Sequence, residues 1–168
     1  CNFGGGSDLG YWGWHPGEMD LEFTRKITGV VNEKPSFDAP LPISYDKDCM
    51  MLRYNWSGRI ENSGIENITV ESDYDKAYPK DEDHAWNGVY LANAINCWVR
   101  MVDFKHLAGS AVVIQRSGSQ ITVEDCKSLS PVSEIGGYRR RTFLTFGEKC
   151  LFQRLYSEHG INDFAAGY

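Results

Sequence analysis

The densest run of ionisable side chains in this 168-residue chain is Asp81-Glu82-Asp83-His84, with Trp86 close behind. Adjacent carboxylates on an extended segment point to opposite faces, so Asp81 and Asp83 are the pair that could act together as general acid and base on a glycosidic bond. The same oxygens could ligate Ca2+, but the D-x-[DN]-x-[DN]-G loop pattern is absent and no Cys/His zinc spacing occurs. No metal and no other cofactor is therefore expected. Arg139-Arg140-Arg141 is the second chemical cluster. A guanidinium binds a carboxylate in bidentate fashion, which fits Arg139 and Arg140 to an acidic sugar. Neutralising that carboxylate makes the neighbouring C–H proton removable by a base, for which His106 and His159 are the candidates. His84 and Glu134 complete the set as acid/base or orienting groups. Tyr138, Trp86, Trp12 and Trp14 offer flat faces on which a sugar ring can stack. Each group also has a plainer reading: charge runs are usually solvated turns, and a lone histidine is more often a loop hydrogen-bonder.

These side chains need a scaffold, and the second half of the sequence supplies a repeating one. Taking Val70, Val99, Val123 and Phe152 as equivalent gives copies of about 24–29 residues. Two positions earlier stand Ile68, Cys97, Ile121 and Cys150; three later, in the last three copies, stand Val102, Cys126 and Leu155. A second strand follows in each copy, centred on Tyr90, Val113 and Leu144, with Asp163-Phe164-Ala165 in the last. Apolar columns in register predict a stack of parallel strands around one interior. The connections after the first strand are long and unequal, whereas those after the second are short and even. Long connections tend to gather on one face, often the binding face. Here they would carry Asp81 to Trp86, Lys105-His106, Glu134 to Arg141, and Glu158-His159. The expected organisation is one domain over 1–168, with irregular coils over 1–57 and four regular coils over 58–168, the last incomplete. Within the irregular part, Leu21 to Val31 and Cys49 to Trp56 read as strands, and Pro35, Pro40 and Pro42 mark an extended loop.

Composition narrows the partners. Lys+Arg 17 against Asp+Glu 23 leaves a net charge of −6, which argues against a broad nucleic-acid-binding face. No run of about 18 apolar residues is present, so no transmembrane segment is expected. Five cysteines without a CxxC pair read as buried thiols rather than a disulfide framework. The patterned stretch continues to the last residues, which suggests a segment of a longer stack whose open ends could associate with one another.

Residues from about 58 onward resemble the right-handed parallel β-helix proteins of the pectate-lyase-like superfamily, and an uncharacterised bacterial branch in particular. The resemblance is carried by Gly58-Arg59-Ile60-Glu61-Asn62, Pro79 to Trp86, Ala108-Gly109-Ser110-Ala111-Val112 and Ile121 through Arg141, including Pro131 to Arg140. It implies an all-β solenoid and a secreted, periplasmic or cell-surface location. It also implies a polysaccharide partner, acidic sugars included, held in a groove along the long-loop edge and cleaved by elimination or glycoside hydrolysis. The competing expectation is a non-catalytic carbohydrate-binding or structural element.

Overall fold

The computed structural model describes residues 23–45, 51–137 and 139–167. The chain divides into two compact units, residues 1–55 and 56–168. The described part of the first unit holds a hairpin of β1 (Ile27–Val31) and β2 (Lys34–Phe37), paired antiparallel with Val31 opposite Lys34. Asn32 and Glu33 both adopt positive φ (48° and 62°), the conformation that a tight two-residue hairpin turn demands. Pro35 therefore lies within a strand rather than in a loop. It is tolerated because this two-stranded ribbon leaves an edge on which a missing N–H costs nothing. The strand expected over Cys49 to Trp56 does not form at its described positions, 51–56.

The described residues of the second unit form twelve strands and no helix. They are β3 (Ile60–Glu61), β4 (Gly64–Glu71), β5 (Asn87–Leu91), β6 (Ala94–Ile95), β7 (Trp98–Lys105) and β8 (Ser110–Ile114). After them come β9 (Thr122–Glu124), β10 (Lys127–Leu129), β11 (Arg141–Thr145), β12 (Leu151–Gln153), β13 (Tyr156–Ser157) and β14 (Asn162–Ala166). A six-stranded sheet runs β12-β9-β7-β10-β13, with β4 joining at β7; a four-stranded sheet runs β14-β11-β8-β5; β3 and β6 make a separate pair. All of these pairings are parallel.

The expectation of a right-handed parallel β-helix, one solenoid from residue 1 to 168, is corrected by this topology. The described residues are all-β, but their strands are parcelled into four separate short sheets, one of them antiparallel. The largest sheet branches because the long β7 is shared: Trp98–Arg100 pair with β9, and Asp103–Lys105 pair with β10. The repeat registration also changes. Val99, Val123 and Phe152 are indeed neighbours, but β4 meets them through Ile65; Val70 lies opposite Phe104 instead.

The core of the second unit is contributed mainly by β5, β7, β8, β9 and β11. Val99, Val102, Phe104, Val112, Ile114, Ile121 and Val123 are fully buried, and Phe143 is nearly so. Burying each such side chain contributes about 1.5–3 kcal/mol. The run Ala111-Val112-Val113-Ile114 is buried throughout, as a β-branched parallel strand with both faces covered should be.

Bends fall in register. Asn62, Asn96, Gln120 and Lys149 form one row of left-handed residues (φ 53–56°), and Asn67, Met101, Asp125 and Arg154 form another (φ 52–58°). A third row contains His106, Ser130 and His159. Asn, Asp and His accept this conformation more readily than most side chains. In the first row the Asn96 side-chain amide donates to Asn62 Oδ1 at 2.5 Å.

Candidate functional site

The connection from β4 to β5 runs through residues 72–86 and carries the acidic run. Its backbone is shaped by its own carboxylates. Asp75 Oδ1 accepts from the Ala77 N–H at 2.9 Å, Asp81 Oδ2 from the Asp75 N–H at 2.9 Å, and Asp81 Oδ1 from the Asp83 N–H at 3.0 Å. Local bonds of this kind let a short polar side chain stand in for a backbone partner. They also hold the Asp81 carboxyl below the ordinary carboxylate range, the Asp75 N–H having the larger effect.

The acidic run then splits by parity. Asp81 and Asp83, together with Asp73, Tyr74, Asp75 and Tyr78, line an open pocket of about 420 Å3. Lys80, Glu82 and His84 turn to the segment 132–139 instead. Glu82 forms a bidentate pair with Arg139 (Nε–Oε1 2.5 Å, Nη2–Oε2 2.9 Å), and its Oε1 also accepts the Glu134 N–H at 3.0 Å. The Arg139 guanidinium, followed by that N–H, pulls the Glu82 carboxyl below its usual value. Lys80 Nζ meets Glu134 Oε2 at 2.8 Å on the exposed rim.

His84 is fully engaged. Its Nε2 lies 3.1 Å from the Asp81 carbonyl and 3.0 Å from the Val132 carbonyl, and Nδ1 lies 3.1 Å from Ser72 Oγ. Carbonyl oxygens only accept, so Nε2 carries a proton and His84 fastens two loops together. The Tyr74 ring stands between His84 (ring centroids 6.1 Å apart) and His106 (5.1 Å, edge-on). His106 Nδ1 is 3.6 Å from Glu71 Oε1.

The other expected site residues take up structural contacts. Arg140 is buried, with Nε donating to Ser133 Oγ at 3.0 Å and Nη2 to the Ser133 carbonyl at 2.7 Å. Burial lowers its pKa. Arg140 Nη1 also reaches the His159 carbonyl at 3.4 Å, and among the described residues no contact joins His159 to Asp81 or Asp83. Trp86 is half-buried, donates Nε1–H to the Glu82 carbonyl at 3.1 Å, and backs onto Gly109, where an added Cβ would come 2.9 Å from the Trp86 carbonyl. Trp12, Trp14 and Tyr138 lie outside the described residues. Tyr74, Tyr78, Asp73 and Asp75 were not among the expected site residues. Their signal is the alternation Asp73-Tyr74-Asp75 just after the end of β4, which the more conspicuous run at 81–84 overshadows.

A second groove, of about 580 Å3, crosses β4, β7, β10 and β13 and is lined by Asn67, Thr69, Met101, Asp103, Lys127 and Tyr156 among others. The charges there satisfy one another. Arg154 binds Asp125 through two bonds of 2.7 Å and Glu124 at 2.9 Å, and Lys127 lies 3.8 Å from Asp103. Among the described residues no group of three or more His, Cys, Asp or Glu is arranged to hold a metal ion. No helix in the described residues is long and apolar enough to cross a membrane.

No family model, no curated protein and no solved structure matches this chain. The pectate-lyase-like resemblance is thus corrected along with the solenoid. The lyase and glycoside-hydrolase readings are corrected with it, because nothing related supports either chemistry. Of the groups expected to serve them, Arg139 is paired with Glu82, Arg140 is buried on Ser133 and both His84 nitrogens are engaged, whereas Asp81 and Asp83 line the open pocket.

Proposed function

We propose that this chain is a non-catalytic glycan-binding element of a secreted or cell-surface protein, and that it holds a neutral, hydroxyl-rich polysaccharide in the pocket lined by Tyr74 and Tyr78. The observation that carries this reading is the lining itself: two tyrosine rings and four aspartates around one open cavity. A tyrosine face packs against the C–H face of a sugar ring, and a carboxylate accepts hydrogen bonds from its hydroxyls. Tyr78 is 66% exposed, so its ring is available to a ligand without displacement of core residues. The same four carboxylates repel a uronate, and the two arginines that an acidic sugar would need are already paired or buried. Neutral or amino sugars therefore fit better than acidic ones.

Isothermal titration calorimetry with cellohexaose, maltohexaose, chitohexaose and an oligogalacturonate tests this. At least one of the first three should bind, the oligogalacturonate should not, and Tyr78→Ala or Asp83→Ala should weaken binding about tenfold, near 1.4 kcal/mol. Absence of heat with all three non-acidic hexasaccharides, or a preference for the oligogalacturonate, would refute the reading.

A further inference from the structure

The parity of the 80–84 segment carries one step more. Lys80, Glu82 and His84 all end on the segment 132–139, while the intervening Asp81 and Asp83 face the pocket. We infer that the even-numbered side chains form a latch that positions the pocket, with Arg139 as its chief positioning residue. This rests on the pocket being the glycan site, and it assigns a role to a residue that touches no ligand.

The contacts rank themselves. Lys80–Glu134 is an exposed pair (62% and 53%) and contributes little. Arg139–Glu82 is three-quarters covered on both sides, two-pronged and charge-assisted, so it is the strongest of the three cross-links. Glu82 also accepts the Glu134 N–H, which ties the opposing backbone directly into the pair. His84 adds a fixed point by donating Nε2–H toward the Asp81 and Val132 carbonyls. Loosening Glu82 frees the backbone between Asp81 and Asp83, and with it the Asp81 carboxylate that organises Asp75 and Asp83. The two tyrosines would then lose their fixed relation to the acceptor oxygens.

The experiment compares wild type, Arg139→Met and Arg139→Lys by hydrogen exchange and by cellohexaose, maltohexaose and chitohexaose titration. In Arg139→Met the amides of Asp75, Ala77 and Asp83 should exchange at least about tenfold faster, while those of Val112 and Val113 in the core stay unchanged, since local opening need not involve global unfolding. Affinity for whichever hexasaccharide binds wild type should fall about five- to tenfold. Arg139→Lys keeps the charge without the fork and should give intermediate values for both readouts. Unchanged exchange at the three amides in Arg139→Met would overturn the latch, even if sugar binding by wild type upholds the pocket. Faster exchange at those amides in a protein that binds none of the hexasaccharides would uphold the latch and overturn the glycan reading. Should Arg139→Met not fold, Glu82→Gln, which keeps the shape and removes the charge, is read against the same amides.

Discussion

Gly88 and Phe104 offer a double-mutant cycle whose outcome follows from distances. Gly88 sits in β5, and a Cβ built there would lie 2.4 Å from Phe104 Cδ1, 2.6 Å from Cε1 and 2.8 Å from the Ala111 carbonyl oxygen. Phe104 is fully buried. Gly88→Ala alone forces the ring out of its place and should cost about 1–3 kcal/mol by overpacking. Phe104→Ala alone loses the transfer free energy of the ring and leaves a cavity, about 3–5 kcal/mol. In the double variant the ring is gone and two of the three clashes vanish, so the new methyl fills part of the void. The Ala111 carbonyl remains, which keeps the relief incomplete. The summed single losses should therefore exceed the double loss by about 1–2 kcal/mol, well outside the roughly 0.3–0.5 kcal/mol expected of independent sites. Urea unfolding monitored by circular dichroism measures all four corners, and Phe104→Leu replaces Phe104→Ala if the larger truncation does not fold. Additivity would refute the packing of this ring over β5.

Two further outcomes follow. Asp81 and Glu82 have folded-state pKa values below their ordinary 3.8 and 4.5, so the unfolded chain binds more protons in acid. Stability from these groups is present above those ordinary values and is lost as pH falls through the depressed ones. Thermal midpoints should thus be flat from pH 7 to about 5 and drop below about 4.5, with a shallower drop in Arg139→Met. Met101 lies 47% exposed at φ 53°, in a row whose other members include Asn67 and Asp125. Met101→Asn should raise stability by about 0.5–1 kcal/mol in the same urea assay, and a loss would contradict the left-handed assignment.

How much of this was legible beforehand depends on the residue. The second-strand centres Tyr90, Val113 and Leu144 align as their β-branched and aromatic surroundings suggest. The first-strand column fails at β4, for a local reason. A left-handed residue inside the strand breaks the two-residue alternation, so Ile65, Ile68 and Val70 step by three and then two, matching Val99, Val102 and Phe104. Read as a plain alternating strand, Ile68 and Val70 fit equally well over Cys97 and Val99. The site was legible as a location, the long connection after β4, but not as a division of labour. Which members of Asp81-Glu82-Asp83-His84 face a cavity depends on Arg139, Val132 and Ser72, residues that spacing alone does not bring near. His106 and His159 attract notice as bases, yet both occupy bends where histidine tolerates positive φ. Pro35 reads as a loop residue, yet a two-stranded pairing imposes fewer demands on its outer N–H groups than a central strand does.

The alternation along residues 80–84 separates two jobs that a sequence of five letters would otherwise entangle. Positions 78 and 83 can be rewritten to retune what the cavity accepts, since neither side chain is part of the fastening to 132–139. Positions 82 and 139 can be rewritten only as a matched couple. A library confined to 73, 78 and 83 would therefore sample new preferences on an unaltered chassis, and it would reveal how far taste and framework can drift apart within one short connection.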